Sequence, residues 1–204
     1  MSEHKVDVGK RRFLTGAVVA VGAAGTGFVA TAFVKTWLPS ARARARGAPV
    51  EVNTAELEEG AQLVTEWRGK PIFIVRRTPK MLATLDDVVP LLRDPNSKQP
   101  QQPPYCQNKY RAISPPILVM IGICTHLGCV PDYQPFAERG FLAYPGYHCP
   151  CHGFKYDISG RVYKGVPAPL NMVIPPYHYE KGNNGKKNLV VIGVPPKDGR
   201  KEAA

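Results

Sequence analysis

The chain has 204 residues, 44% of them apolar and 21% charged, which suits one globular domain with an appendage and excludes a disordered chain. Its 21 prolines and 19 glycines, about a fifth of the chain, exclude a compact helical bundle and favour a loop-rich, strand-rich body. The net charge of +11 is unevenly spread: residues 1–46 hold eight Lys/Arg against two acids, and residues 47–204 hold nineteen against fourteen. The body is only mildly basic and has no Lys/Arg stripe interleaved with aromatics, so nucleic acid is not an expected partner.

From Phe13 to Val34 there is no charged residue. Twenty-two residues make a helix of roughly 33 Å, enough for a hydrocarbon core of about 30 Å. Gly16, Gly22, Gly25 and Gly27 are scattered through it, and small residues let another helix approach closely in lipid. Lys10-Arg11-Arg12-Phe13-Leu14 stands just before it, a twin-arginine pattern of the kind that reads as a bacterial Tat export signal. The flanking charges are nearly balanced: Lys5, Lys10, Arg11 and Arg12 precede the span, while Lys35, Arg42, Arg44 and Arg46 follow it. The arginine pair decides for an inside N-terminus and an outside body. Ala30-Thr31-Ala32 lies inside the span rather than after it, and the span exceeds a usual signal core, so a retained anchor is expected.

The stretch from Pro39 to Pro49 alternates Ala and Arg and has no apolar face to bury, so it reads as a linker. Ala and Arg are also good helix formers, so the composition allows a stiff linker as well as a flexible one.

Beyond the linker, Ile72-Phe73-Ile74-Val75 is a short β run. Met81, Leu82, Leu85, Val88 and Val89 recur at helical spacing, which predicts a short helix over 79–92. Residues 94–116 are rich in Pro, Gln and Asn and read as a long loop. Ile117 to Ile123 is an apolar strand that runs straight into the cysteines, and Val190 to Val194 is a second strand. Gly182-Asn183-Asn184-Gly185 offers the positive backbone angles of a hairpin turn.

Four of the five cysteines fall in two boxes, Cys124-Thr125-His126-Leu127-Gly128-Cys129 and Cys149-Pro150-Cys151-His152-Gly153, separated by nineteen residues. Three chemistries compete for them. A structural zinc site can use two Cys and two His. Two ordinary disulfides suit an exported protein. A [2Fe–2S] cluster can have two His in place of two Cys on one iron. Two such loops can pinch a binuclear cluster, one Cys and one His from each. Such a site uses Cys124, His126, Cys149 and His152 and leaves Cys129 and Cys151, one per loop.

Both boxes resemble the Rieske iron–sulfur proteins, with all six box residues in order and their glycines in place. The extra pair Cys129 and Cys151 is similar to the disulfide type found in quinol-oxidising cytochrome complexes. The twin-arginine anchor, the linker and Gly165-Val166-Pro167-Ala168-Pro169-Leu170-Asn171 resemble the Rieske subunit of bacterial ubiquinol-cytochrome c oxidoreductases over nearly the whole chain.

The resemblance implies a mainly β fold: a single transmembrane helix, a hinge linker and an all-β Rieske head with a small cluster-binding subdomain. The expected division is a cytoplasmic N-terminus over 1–12, an anchor over 13–38, a flexible linker over 39–49 and a head over 50–204, with its cluster-binding part at about 117–172. It further implies one [2Fe–2S] cluster, with Cys124 and Cys149 on the inner iron, His126 and His152 on the outer one, and a Cys129–Cys151 disulfide. His152 is the expected quinol contact, and both imidazoles can carry a proton. Leu127 and the Pro167-Ala168-Pro169 loop are expected to shield the cluster, and the Tyr156 hydroxyl to donate to a ligand sulfur. Where the family usually has a serine that donates to a cluster sulfur, this chain has Phe154. Losing that donor lowers the expected potential.

The implied function is transfer of an electron, with a proton, from ubiquinol to a c-type cytochrome. The implied partners are cytochrome b, that cytochrome and membrane lipid, in a dimeric complex at the bacterial inner membrane with the head on the periplasmic side. The Rieske subunit of an arsenite oxidase and a zinc-stabilised binding module are the alternatives.

The remaining candidates take plainer roles. Cys106 reads as a buried inert thiol, His148 and His178 as non-ligands, His178 as a strand residue, and His4 as a tail residue. Asp157 and Arg161 read as a local turn pair. The three linker arginines are expected to meet anionic lipid headgroups. Replacing all three by Ala is therefore expected to weaken membrane attachment and slow turnover of the complex. Vesicle flotation and quinol-oxidation assays check this, and two unchanged readings refute it.

Overall fold

A computed structural model describes residues 6–136, 142–182, 185 and 187–196. The chain divides into two compact units, Met1–Ala45 and Arg46–Ala204.

The first unit is built on α1, Val8–Trp37, which is long and apolar enough to cross a membrane. It starts five residues before the uncharged run because Asp7 caps it, its carboxylate accepting from the amides of Gly9 and Lys10. The twin arginines therefore lie inside the helix. Polar side chains along the helix turn inward: the hydroxyls of Thr15, Thr31 and Thr36 donate to the carbonyls of Arg11, Gly27 and Phe33. Leu38 is extended ahead of Pro39, which ends the helix. A second short helix, α2, Ala41–Arg46, follows, with Ser40 accepting from the amide of Ala43. The segment expected as a flexible linker is thus partly helical, in line with the propensity of alternating Ala and Arg.

Among its described residues, the second unit holds three antiparallel sheets of three strands each. The outer sheet joins β1 (Val50–Asn53), β9 (Lys187–Ile192) and β8 (Tyr177–Lys181). The central sheet joins β2 (Gln62–Trp67), β3 (Lys70–Arg76) and β4 (Ile117–Ile121). The third joins β5 (Asp132–Gln134), β6 (Gly146–Cys149) and β7 (Phe154–Asp157). The apolar runs of β3 and β4 lie on the central sheet and make the floor of the core, with Ile72, Ile74, Val75, Leu118, Val119 and Met120 fully buried. The expected run 72–75 and strand 117–123 are found there. The latter ends two residues early, at Ile121; the Gly122 amide still donates to the Pro71 carbonyl, and only glycine fits there because a Cβ would collide with the Phe73 ring.

The expected helix over 79–92 is shorter. Thr78 caps α3, Pro79–Asp87, and Met81 and Leu85 bury its inner face. Pro90 lacks the amide that would continue it, so Val89–Leu91 forms a single 3₁₀ turn. The expected strand over 190–194 lies instead at 187–192, ended by Gly193 at φ +101°. Its hairpin turn, including Asn183 and Asn184, falls partly outside the described residues. Strands β1, β2, β5, β6 and β7 were not expected from the sequence; each is short and several carry polar residues on both faces.

Cys106 closes a 3₁₀ turn, Pro104–Cys106, inside the long loop and is fully buried. Burial pushes its thiol up to about 12 from 9.0. A raised folded-state value contributes stability that is fully present below pH 9 and is lost as pH climbs toward 12. The native protein is expected to leave Cys106 unlabelled by iodoacetamide at pH 8 and to lose unfolding free energy above pH 9, whereas denatured protein labels readily. Thiol mass spectrometry and denaturant titrations at several pH values check both.

Candidate metal centre

Two loops built alike make the site. The first follows β4: the Cys124 amide donates to the Cys129 carbonyl at 2.7 Å, and the Gly128 amide to the Cys124 carbonyl at 3.1 Å. The second joins β6 to β7, and the Gly153 amide donates to the Cys149 carbonyl at 2.9 Å. Gly128 and Gly153 have φ of +88° and +72°, so each turn closes through a left-handed residue that glycine adopts without strain. Strand pairing sets the second loop: Cys149 and Phe154 are directly opposed across β6 and β7. At Gly146 the backbone of β7 comes so close that any Cβ would strike the Tyr156 carbonyl.

The loops come from different sheets and are joined by the Cys129–Cys151 disulfide, with its Cα atoms 6.7 Å apart. Cross-linking residues 22 apart contributes about 3 kcal/mol by restricting the unfolded chain. Cys124 and Cys149 are buried and remain free thiols. The sulfurs of Cys129, Cys149 and Cys151 lie within 4.8 Å of one another, but the disulfide removes two of them as thiolate ligands. The imidazoles of His126 and His152 meet with ring centroids 4.9 Å apart and planes at 88°. His126 Nδ1 is buried and has no hydrogen-bond partner, whereas His152 is exposed. Two buried thiols and two imidazoles, one of them with an unsatisfied nitrogen, fit a metal group that takes two sulfur and two nitrogen donors.

The surrounding contacts are specific. The Tyr156 hydroxyl lies 3.2 Å from Cys124 Sγ. Burial and the neighbouring Cys124 hold Tyr156 protonated far above neutral pH, so its hydroxyl keeps a hydrogen to donate. Burial also raises the Cys149 thiol, with the Cys124 contact adding to it. Thr125 was missed in the sequence. Its amide donates to the Tyr156 oxygen at 3.2 Å and its hydroxyl to the Leu170 carbonyl at 2.6 Å, which ties the proline-rich loop to the first box. Its place between two candidate ligands was the only signal. In that loop Pro167 is exposed and Ala168 is fully buried. Leu127 is 73% exposed at the tip of the first loop.

Phe154 is 1% exposed and packs edge-on against His126 at 4.7 Å and nearly parallel to His152 at 5.6 Å. An aromatic ring therefore backs both imidazoles at the position where the Rieske pattern has a serine.

The other histidines lie elsewhere. His148 is in register with Asp132 and Lys155 in the third sheet. His178 is in β8, with Nδ1 3.0 Å from the Val194 carbonyl and Nε2 3.0 Å from Glu180 Oε1. His4 lies outside the described residues. Asp157 and Arg161 form the expected local pair across a turn, an ion pair at 2.7 Å that is also fully buried.

The sequence profile of the Rieske [2Fe-2S] domain matches residues 95–177, which include both boxes and the proline-rich loop. A protein of Allochromatium vinosum named ubiquinol-cytochrome c reductase iron-sulfur subunit is 51% identical over 182 residues, covering 88% of each chain. The chain belongs to the Rieske iron–sulfur subunits. A Bradyrhizobium diazoefficiens protein of the same name is 41% identical over 83% of this chain and 89% of its own length. The mitochondrial cytochrome b-c1 complex subunit Rieske of Schizosaccharomyces pombe is 42% identical over 82% of this chain, and the match covers 66% of that longer protein. A solved chain titled "Hyperthermophilic respiratory Complex III" is 26% identical, with a TM-score of 0.49, covering 86% of this chain and 98% of that one.

The Rieske cofactor is a [2Fe–2S] cluster, and its potential depends on hydrogen bonds to sulfur and on exposure. In this Rieske head the Tyr156 hydroxyl lies within hydrogen-bond distance of the Cys124 sulfur, and Phe154 has no group to donate. Tyr156→Phe is expected to lower the midpoint potential and Phe154→Ser to raise it, read by redox titration of the loaded protein. A Phe154→Ser protein with an intact cluster and an unraised potential refutes the second expectation.

Proposed function

We propose that this protein carries single electrons from ubiquinol to a c-type cytochrome as the Rieske subunit of a cytochrome bc complex. The observation that carries the reading is the sorting of the four box cysteines: two are oxidised to a staple, and two are kept as buried thiols beside two crossed imidazoles. Zinc binding needs neither the staple nor the exposed second imidazole.

In this reading Cys124, Cys149, His126 and His152 hold the cluster, which supplies a one-electron acceptor when bound. The protein's own residues do the rest. His152, exposed at the tip of its loop, receives the quinol hydroxyl in a hydrogen bond and takes up its proton at a ring nitrogen as the electron leaves the quinol. The Tyr156 hydroxyl supports the Cys124 sulfur as negative charge arrives there. Phe154 keeps water from the inner faces of both imidazoles. Leu127, exposed beside them, gives an apolar contact for the quinol-binding partner. Helix α1 anchors the chain, and the twin arginines direct an outward-facing, periplasmic head. The break at Leu38-Pro39 and the residues after Arg46 flank α2 and let the head travel between donor and acceptor.

The alternative of an arsenite-oxidase subunit shares the cluster but not the relatives, whose names specify ubiquinol-cytochrome c reductase. Electron paramagnetic resonance on the purified full-length protein in detergent tests the proposal. Silence when oxidised and a rhombic signal averaging below the free-electron value after dithionite is the expected result. Co-purification with cytochrome b separates the two Rieske readings. Silence in both states, with stoichiometric zinc, overturns electron transfer.

A further inference from the structure

Three arginines are fully buried behind the site. Arg77, Arg111 and Arg161 are 1%, 0% and 1% exposed, and Asp157 is the one buried carboxylate among the described residues. Asp157 is taken by Arg161, at 2.7 Å. Arg77 and Arg111 have only neutral hydrogen-bond partners, and the single Asp157 carboxylate acts on both of them at longer range as well as on Arg161. Arg77 donates to the Tyr110 carbonyl and the Ser159 hydroxyl at 2.8 Å and to the Pro115 carbonyl at 2.5 Å. Arg111 donates to the carbonyls of Ser159, Gly160 and Met172 at 3.1, 3.2 and 2.7 Å and to Gln102 Oε1 at 3.0 Å. The Nε of each has no partner at all. Burial pulls both guanidiniums down to about 10, which leaves them protonated at neutral pH.

Burying an uncompensated cation is costly, and hydrophobic residues would pack the same space at lower cost. The position of the charges suggests what they do. Both guanidiniums clasp the Ser159–Gly160 turn, which directly follows β7. That strand carries Phe154 against the two imidazoles and Tyr156 against the Cys124 sulfur. The turn is packed to its limit: a Cβ at Gly160 would sit 2.8 Å from Met120 Sδ, on the strand that leads into the first box. The charges are therefore held in a buried, closely packed turn at the end of the strand that begins beside the second box, in an interior that salt screens little.

We propose that the excess buried positive charge of Arg77 and Arg111, which share one carboxylate with Arg161, raises the midpoint potential of the site and so sets the driving force for taking an electron from the quinol. One electron arriving at the cluster adds one negative charge there, and fixed cations nearby lower the energy of that reduced state more than that of the oxidised one. The electron comes from the quinol, which is oxidised, and the cluster is reduced. Arg77 and Arg111 exchange no proton. They are positioning residues in the electrostatic sense and touch neither substrate nor ligands. The inference rests on the electron-transfer reading above.

Redox titration of the full-length loaded protein at pH 6, followed by electron paramagnetic resonance, tests it. Arg77→Met and Arg111→Met remove the charge, whereas Arg77→Lys and Arg111→Lys keep it while losing the same guanidinium fork. The Met variants are expected to show a lower midpoint potential, with the fall undiminished in high salt, and the Lys variants to stay near the parent. Gln102→Glu adds a carboxylate beside Arg111 at its half-buried partner and decides if the Met variants do not load: its potential is expected to fall. Potentials unchanged in the Met variants or in Gln102→Glu, with only the thermal midpoint reduced, overturn the proposal and leave the arginines a purely structural role. An equal fall in the Lys and Met variants also overturns it. A parent protein that loads no [2Fe–2S] cluster fails the electron-transfer reading instead, before any variant is compared.

Discussion

The Cys129–Cys151 disulfide is the interaction on which the site depends. The two loops it joins leave different sheets, the first at the end of β4 and the second between β6 and β7, and no strand pairing connects those sheets. Four cysteines in two boxes can pair in several ways, and any pairing that included Cys124 or Cys149 would take a candidate ligand. The observed bond takes the second cysteine of each box. Cys124 and Cys149 are left buried and outside the disulfide.

The head beneath the loops serves to hold them still. Apolar β3 and β4 form the rigid floor, and tight contacts at Gly122 and Gly146 aim the chain into each loop. The long segment between α3 and β4 has almost no regular structure, yet its carbonyls and amides are satisfied by side chains: Arg77 and Arg111 bind its carbonyls or those it packs on, and the Tyr177 hydroxyl accepts from the Ile113 amide. One set of buried polar groups thus orders a loop that strand pairing cannot reach. The same groups place positive charge behind a centre that must accept an electron.

Much of the site was legible in the chain itself. The boxes were visible because Cys and His at close spacing are rare without a role, and the anchor because a long uncharged run has few other uses. Strands β3 and β4 declared themselves as β-branched apolar runs. Strands β5, β6 and β7 did not, because four residues such as Gly146-Tyr147-His148-Cys149 have no period of their own and become strands only through their partners. The helix at 79 was foreseen, but its end was placed too late, because the apolar spacing continued past Pro90 while the backbone could not. Asp157 and Arg161 read as a turn pair since their spacing is local, but nothing local shows that both are covered.

By itself, the sequence determined the chemistry available: an anchor, a basic tether, two Cys/His boxes and an aromatic residue, Phe154, at a position where the Rieske pattern has a hydroxyl. These follow from residue type and near-neighbour spacing. Only the tertiary structure decided that Phe154 backs both imidazoles, that Thr125 ties the first box to the proline-rich loop, and that two guanidiniums lie buried with only neutral hydrogen-bond partners. Each of these joins residues tens of positions apart. Burial and hydrogen-bond satisfaction are properties of the packed chain, and they arise only when the sheets bring distant segments together.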